Sequence, residues 1–228
     1  MTQLLISVKD VEESKIARHA GADLIDLKDP DVGALGALNL DIVKQIVQDI
    51  DGSTSISATV GEMHASVDDL MQDIRVYAGL GVDIVKIALT ALVDQPDFFK
   101  KISELTHQGI QVVAVFFANQ PLDFALIPKL KESGFYGAMI DTQLKQSTLL
   151  SVQPIQVLAR FVTDCHASSL VAGLAGSVNK THLDELLTLR PNFIGMRGGV
   201  CVNHDRTAGL MAKSITEVKD ELLTYQPY

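Results

Sequence analysis

The sequence predicts an α/β fold, a single (β/α)8 barrel of the TIM type over residues 1–228, and three observations predict it. Short apolar runs of strand length alternate along the chain with stretches of helical periodicity. Three helical stretches close on glycine and lead straight into a strand: Ala20-Gly21-Ala22-Asp23, Leu80-Gly81-Val82-Asp83 and Ser133-Gly134-Phe135-Tyr136. This is the short connection a parallel sheet uses. Finally, eight such units fit the chain with no Pro/Gly/Ser-rich linker or low-complexity tract between them, and closing the sheet removes its exposed edges.

Taken in order, residues 4–8 form the first strand, and residues 11–20 have helical spacing that stops at Gly21. Strands follow near residues 22–28, 55–60, 83–89, 111–117, 137–141, 170–175 and 193–197, with amphipathic helical stretches between them. The longest loop, near residues 29–39, holds Gly33 and Gly36.

Composition narrows the function classes. With 47% hydrophobic and 21% charged residues the chain can bury a sizeable core, which excludes a disordered or collagen-like protein. A formal net charge of -9 argues against nucleic acid or an anionic membrane surface as partner, while leaving room for a local basic pocket. Cys165 and Cys201 form no CxxC pair, no secretory segment precedes the first strand and no apolar run has membrane-spanning length, so a cytoplasmic location is expected. A homo-oligomer is expected only from the prevalence of symmetric assemblies.

In a barrel of this kind the active site forms where the strands end. The second strand reads Leu24-Ile25-Asp26-Leu27-Lys28, and alternation puts Asp26 and Lys28 on one face, pointing into the barrel. The two residues could be a buried ion pair or catalytic groups, and their position at a strand end favours the second. Lys86 sits inside the apolar run Asp83-Ile84-Val85-Lys86-Ile87-Ala88-Leu89, where an ammonium is paired, neutralised or functional unless it reaches the surface. Asp141 ends the sixth strand, with Lys145 four residues on; Asp141 could equally cap the segment that follows.

Two glycine-rich stretches end the last strands: Gly173-Leu174-Ala175-Gly176-Ser177 and Gly195-Met196-Arg197-Gly198-Gly199. Loops at these positions commonly bind phosphate through backbone N–H groups, which makes Gly176, Ser177, Gly198 and Gly199 candidate anion ligands. Arg197 is expected to add a bidentate charge. Packing of tight turns is the alternative reading. The histidines show no metal-ligand spacing, and there is no GxSxG, P-loop or GxGxxG motif, so neither a metal nor a nucleotide cofactor is expected.

At these residues the chain resembles the (5-formylfuran-3-yl)methyl phosphate synthases, nearly end to end. The most specific stretches are Asp26-Leu27-Lys28-Asp29-Pro30 with Gly33-Ala34-Leu35-Gly36-Ala37, Ser57-Ala58-Thr59-Val60-Gly61, Asp83-Ile84-Val85-Lys86, Asp141-Thr142 with Lys145, Ala175-Gly176-Ser177, and Arg197-Gly198-Gly199 with Cys201, Asp205 and Arg206. The resemblance implies a lyase that joins two molecules of glyceraldehyde 3-phosphate into a furan aldehyde phosphate, releasing phosphate and water, without metal or nucleotide, as an early step toward methanofuran in one-carbon metabolism. By residue match it implies that Lys28 is the Schiff-base lysine and Lys86 the proton acceptor, with Asp26, Asp141 and Lys145 also in the site.

The chemistry of the residues suits that reaction. A Schiff base withdraws electrons from the neighbouring carbon, so that a base can generate an enamine able to attack a second aldehyde. A free lysine, pKa about 10.4, is neutral roughly once in 2,500 at pH 7, and burial or a nearby like charge must correct this. Asp26 would oppose the correction, so it is expected to lie to one side as an acid-base or orienting group more than as a tight ion-pair partner. Other barrel enzymes of sugar-phosphate chemistry (aldolase, isomerase or epimerase) and a noncatalytic phosphate-metabolite sensor are the rival readings.

Overall fold

Each strand of the chain alternates between two apolar environments, and this alternation builds the molecule. A computed structural model describes residues 1–143 and 147–225. Its strands are β1 (Gln3–Val8), β2 (Leu24–Leu27), β3 (Ser55–Thr59), β4 (Ile84–Ala88), β5 (Gln111–Phe117), β6 (Gly137–Asp141), β7 (Val171–Leu174) and β8 (Phe193–Met196). They pair in parallel, in sequence order, and close into a barrel when β8 pairs with β1. The predicted fold class is the one observed.

Helices α1 (Val11–His19), α2 (Leu40–Ile50), α3 (Val67–Gly79), α4 (Phe98–Thr106), α5 (Leu126–Glu132), α6 (Leu149–Val152), α7 (Ile155–Ala167), α8 (Leu183–Leu187) and α9 (Ala212–Thr224) connect the strands. Four of them start on side chains that accept from backbone N–H groups left free at a helix N-terminus: Asp10 for α1, Asn39 for α2, Ser66 for α3 and Thr148 for α6. After α1 and α3 the chain reverses through Gly21 (φ 98°) and Gly81 (φ 97°), a left-handed conformation glycine adopts without a Cβ penalty. Among the described residues no helix is long and apolar enough to cross a membrane.

The outward strand residues, such as Ile6, Ile25, Val85 and Ala114, pack with the helices in one large cluster. The inward ones form a second, separate cluster that includes Leu5, Leu24, Ile84, Val113, Met139 and Phe193. These plug the floor of the barrel, and further along the same inward faces come Ser7, Asp26, Ser57, Lys86 and Asp141, all buried. Polar residues therefore begin where the apolar floor ends, toward the C-terminal ends of the strands.

The floor contains a tight contact that constrains the sequence. A Cβ placed on Gly173 would lie 2.2 Å from ring carbons of Phe193, itself fixed in the core. Gly173→Ala is expected to lower stability by about 1–3 kcal/mol through overpacking, measured by urea unfolding. Phe193→Leu should recover part of that loss in the double variant. Strictly additive effects of the two substitutions would show that the ring is not the obstacle.

Candidate active site

Four charged side chains meet inside the barrel mouth as two buried ion pairs. Lys86, 2% exposed, lies 2.6 Å from Asp26 Oδ1, and Lys28, 6% exposed, lies 3.1 Å from Asp141 Oδ2. Asp26 is fully buried and accepts two further hydrogen bonds, from the hydroxyls of Ser7 (2.8 Å) and Ser57 (2.7 Å) on the flanking strands. Three donors thus satisfy a carboxylate that no water reaches, which is the condition for burying one.

The expectation that Asp26 stands apart from tight ion pairing is corrected by this geometry. It does stand apart from Lys28, whose carboxylate partner is Asp141 from across the barrel, but it is the tight partner of Lys86. The reason is desolvation: an ammonium as buried as Lys86 needs a counter-charge, and Asp26 is the carboxylate within reach. Burial pushes the Lys86 ammonium below the ordinary lysine range, Asp26 opposes this, and the like charge of Lys28 adds to it.

Both lysines, both aspartates, Gly176, Ser177, Arg197, Gly198 and Gly199 line one cavity of about 220 Å³. Lys145 lies outside the described residues. Gly176 (φ 118°) presses against Thr142 so closely that a Cβ would be 2.7 Å from the Thr142 backbone nitrogen, and a Cβ on Gly199 would be 2.3 Å from the carbonyl oxygen of Val178. The two glycine loops are therefore packed together at the mouth, and small residues are required there.

Arg197 faces a different partner from the anion expected of it. Its Nη1 donates to Glu13 Oε2 (2.7 Å) and to the carbonyl oxygen of Ser7 (2.9 Å), Nη2 donates to Glu13 Oε1 (3.2 Å), and Nε donates to the carbonyl oxygen of Arg206 (2.5 Å). The bidentate fork is closed on a buried glutamate from α1, since both side chains lie on the seam where β8 meets β1.

Several cavity residues are not among those the sequence singles out. Ser7, Asn179 and His204 line the cavity, as does Arg206, quoted above within the last of the resemblance stretches without a role. Ser7 and Ser57 were accessible to the same alternation that located Asp26, whereas His204 comes from an irregular loop with left-handed backbone at Asn203 (φ 54°) and His204 (φ 57°). Glu62 was also missed. Its carboxylate accepts from the backbone N–H groups of Ala34 and Leu35 and from Gln143 Nε2, tying the loop that follows Lys28 to two other loops of the mouth. Among the described residues there is no cluster of three or more His, Cys, Asp or Glu able to hold a metal ion.

The fold is shared with solved structures of low identity, which supports the architecture alone. Phosphoribosyl anthranilate isomerase from Thermus thermophilus superposes with a TM-score of 0.70 at 13% identity, covering 99% of this chain and 100% of that one. For 3-hexulose-6-phosphate synthase from Salmonella typhimurium the TM-score is 0.67 at 16% identity, with 95% and 98% covered. Relatives in sequence are more specific. The (5-formylfuran-3-yl)methyl phosphate synthase of Methanocaldococcus jannaschii is 30% identical over 96% of this chain and 98% of its own length. A Methylorubrum extorquens protein that carries the same name provisionally is 36% identical over 96% of this chain and 91% of its own. The model of the family described as 4-HFC-P synthase matches residues 4–219, and the chain, with its paired lysines at the barrel mouth, belongs to that enzyme family.

Proposed function

We propose that this enzyme is a carbon-oxygen lyase that condenses two molecules of glyceraldehyde 3-phosphate into (5-formylfuran-3-yl)methyl phosphate, with release of phosphate and water, in the synthesis of a methanofuran-type cofactor. The observation that carries the reading is the pair of lysines, each held by its own carboxylate, in one small cavity lined by glycine loops. The names borne by the sequence relatives support the same activity.

Lys28 is the nucleophile in this reading because it is the lysine at the end of β2, nearer the rim, and it has a place to send its proton: Asp141, 3.1 Å away. The neutral amine adds to the aldehyde carbon of one triose phosphate and water leaves, forming an iminium. Lys86, biased by burial toward its neutral form, removes a proton from the adjacent carbon, and the resulting enamine attacks the aldehyde carbon of the second molecule. Asp26, locked by two serine hydroxyls, keeps the Lys86 amine aimed into the cavity. The dehydrations and the loss of phosphate need acids and bases, which Asp141 and Lys86 supply, and hydrolysis of the carbon–nitrogen bond then releases the aldehyde product and returns the Lys28 amine.

Lys28→Arg keeps the charge beside Asp141 but removes an amine able to form an imine. Turnover measured by the furan chromophore should fall by more than roughly a thousandfold, and borohydride in the presence of glyceraldehyde 3-phosphate should no longer add a stable mass that maps to Lys28 in the native enzyme. Lys86→Arg should slow turnover roughly a hundred- to ten-thousandfold while still permitting trapping. An adduct on Lys86 that survives Lys28→Arg would reverse the two roles.

The pH dependence follows from the same burial. Lys86 works as the neutral amine, so activity falls as pH drops through its pKa, and because that pKa is lowered the limb should lie below about pH 10.4, the ordinary lysine value. Single-turnover rates against pH test this. A limb at or above that value would mean that burial does not prepare Lys86 for proton removal.

A further inference from the structure

Among the described residues, each lysine and arginine lining the cavity is matched by a carboxylate except one. Lys28 is matched by Asp141, Lys86 by Asp26 and Arg197 by Glu13, each at 3.1 Å or less. Arg206 lines the same cavity, and its side-chain donor reaches a carbonyl oxygen, that of Gly33, at 2.9 Å. Among the described residues it has no carboxylate in ion-pair contact; Asp141, Asp31 and Asp29 act on it only through their fields. From these contacts we infer that Arg206 is the guanidinium that binds a substrate phosphate, and that it gives the enzyme its preference for phosphorylated over unphosphorylated aldehydes. This inference rests on the proposed substrate class and adds to it the residue that reads the phosphate.

Three features support the assignment. A dianion entering a cavity where the other described lysines and arginines are each held by a carboxylate is favoured by a cation that is not so held, and Arg206 supplies one. It is half-buried, which strengthens a charge-assisted hydrogen bond relative to one in open water. It is also positioned: Arg197 Nε donates to its carbonyl oxygen, and its Cβ lies 3.6 Å from where a Cβ on Gly198 would be, so its backbone is fixed against the glycine loop after β8. The side chain then reaches Gly33 in the loop that follows Lys28. Two donors of the planar fork beyond the one engaged with Gly33 suffice for a bidentate contact.

The test compares the native enzyme with Arg206→Gln and Arg206→Lys. Losing a charge-assisted contact to phosphate should raise the inhibition constant of inorganic phosphate and the KM for glyceraldehyde 3-phosphate by roughly ten- to a hundredfold in Arg206→Gln, with Arg206→Lys between the two. The ratio of borohydride trapping rates for glyceraldehyde 3-phosphate over glyceraldehyde should fall by a similar factor. An unchanged phosphate inhibition constant overturns the inference, as does an equal loss of trapping with both aldehydes, which would mark Arg206 as a support for the Gly33 loop. If the native enzyme traps neither aldehyde, the Schiff-base reading fails by itself, and phosphate inhibition measured by displacement of bound inorganic phosphate still decides the role of Arg206.

Discussion

Placing two ammonium groups and two carboxylates inside a closed barrel is the constraint on which the rest of this structure turns. Each such ion loses several kcal/mol of hydration, and only close, hydrogen-bonded pairing offsets that loss. Lys86–Asp26 at 2.6 Å and Lys28–Asp141 at 3.1 Å meet this requirement, and the serines on β1 and β3 complete the shell of Asp26. The apolar floor of Leu5, Leu24, Ile84, Val113, Met139 and Phe193 makes the arrangement possible by shutting the opposite end of the barrel. A charge set this deep is stable only as a set, so removing one member leaves its partner buried and unmatched.

The seam of the barrel repeats the device with a structural purpose. Glu13 lies in the first turn of α1, where its backbone N–H is bound by the Asp10 cap and its carboxylate accepts from the backbone N–H of Lys9 as well as from Arg197. Arg197 in turn holds the carbonyl oxygens of Ser7 and Arg206. One buried pair thus joins β8, β1, α1 and the loop after β8, and fixes the backbone from which Arg206 extends. That an arginine beside two glycines can serve as a buttress is consistent with its planar fork, which matches a carboxylate as well as it matches a phosphate.

The period-two pattern of the strands and the glycine-closed helices made the barrel legible, because both are local properties of the chain. Alternation also showed that Asp26 and Lys28 share a face, and that Lys86 sits in an apolar run. It could not show which residue lies across the barrel from which: the pairing of Lys28 with Asp141 joins β2 to β6, and nothing in either segment encodes the other. The same limit explains Arg197. A Gly-Met-Arg-Gly-Gly strand end marks a crowded turn, yet the guanidinium could face the cavity or the seam, and only the position of Glu13 on a helix distant in sequence decides it. Glu62 left no local trace because its partners are backbone N–H groups of a loop whose path is set in three dimensions.

That loop also explains why the cavity occupies only part of the mouth. Between Lys28 and α2 the chain folds back on itself through the Asp29–Gly36 bridge and drives Ala34 and Leu35, both nearly inaccessible, into the interior apolar cluster alongside Ala88 and Phe117. Glu62 holds their N–H groups from one side, and Thr59 Oγ1 donates to the carbonyl oxygen of Gly36 from beneath. The β3 to β5 side of the mouth is filled in this way, and the open space is confined to the wall formed by β1, β2, β6 and the loops after β7 and β8, with Lys86 at its base. Lys86, 2% exposed at the base of this space, is buried deeply enough that desolvation lowers its pKa below the ordinary lysine range. The loop that follows Lys28 therefore shapes the cavity through apolar packing, its own backbone held by Glu62 and Thr59.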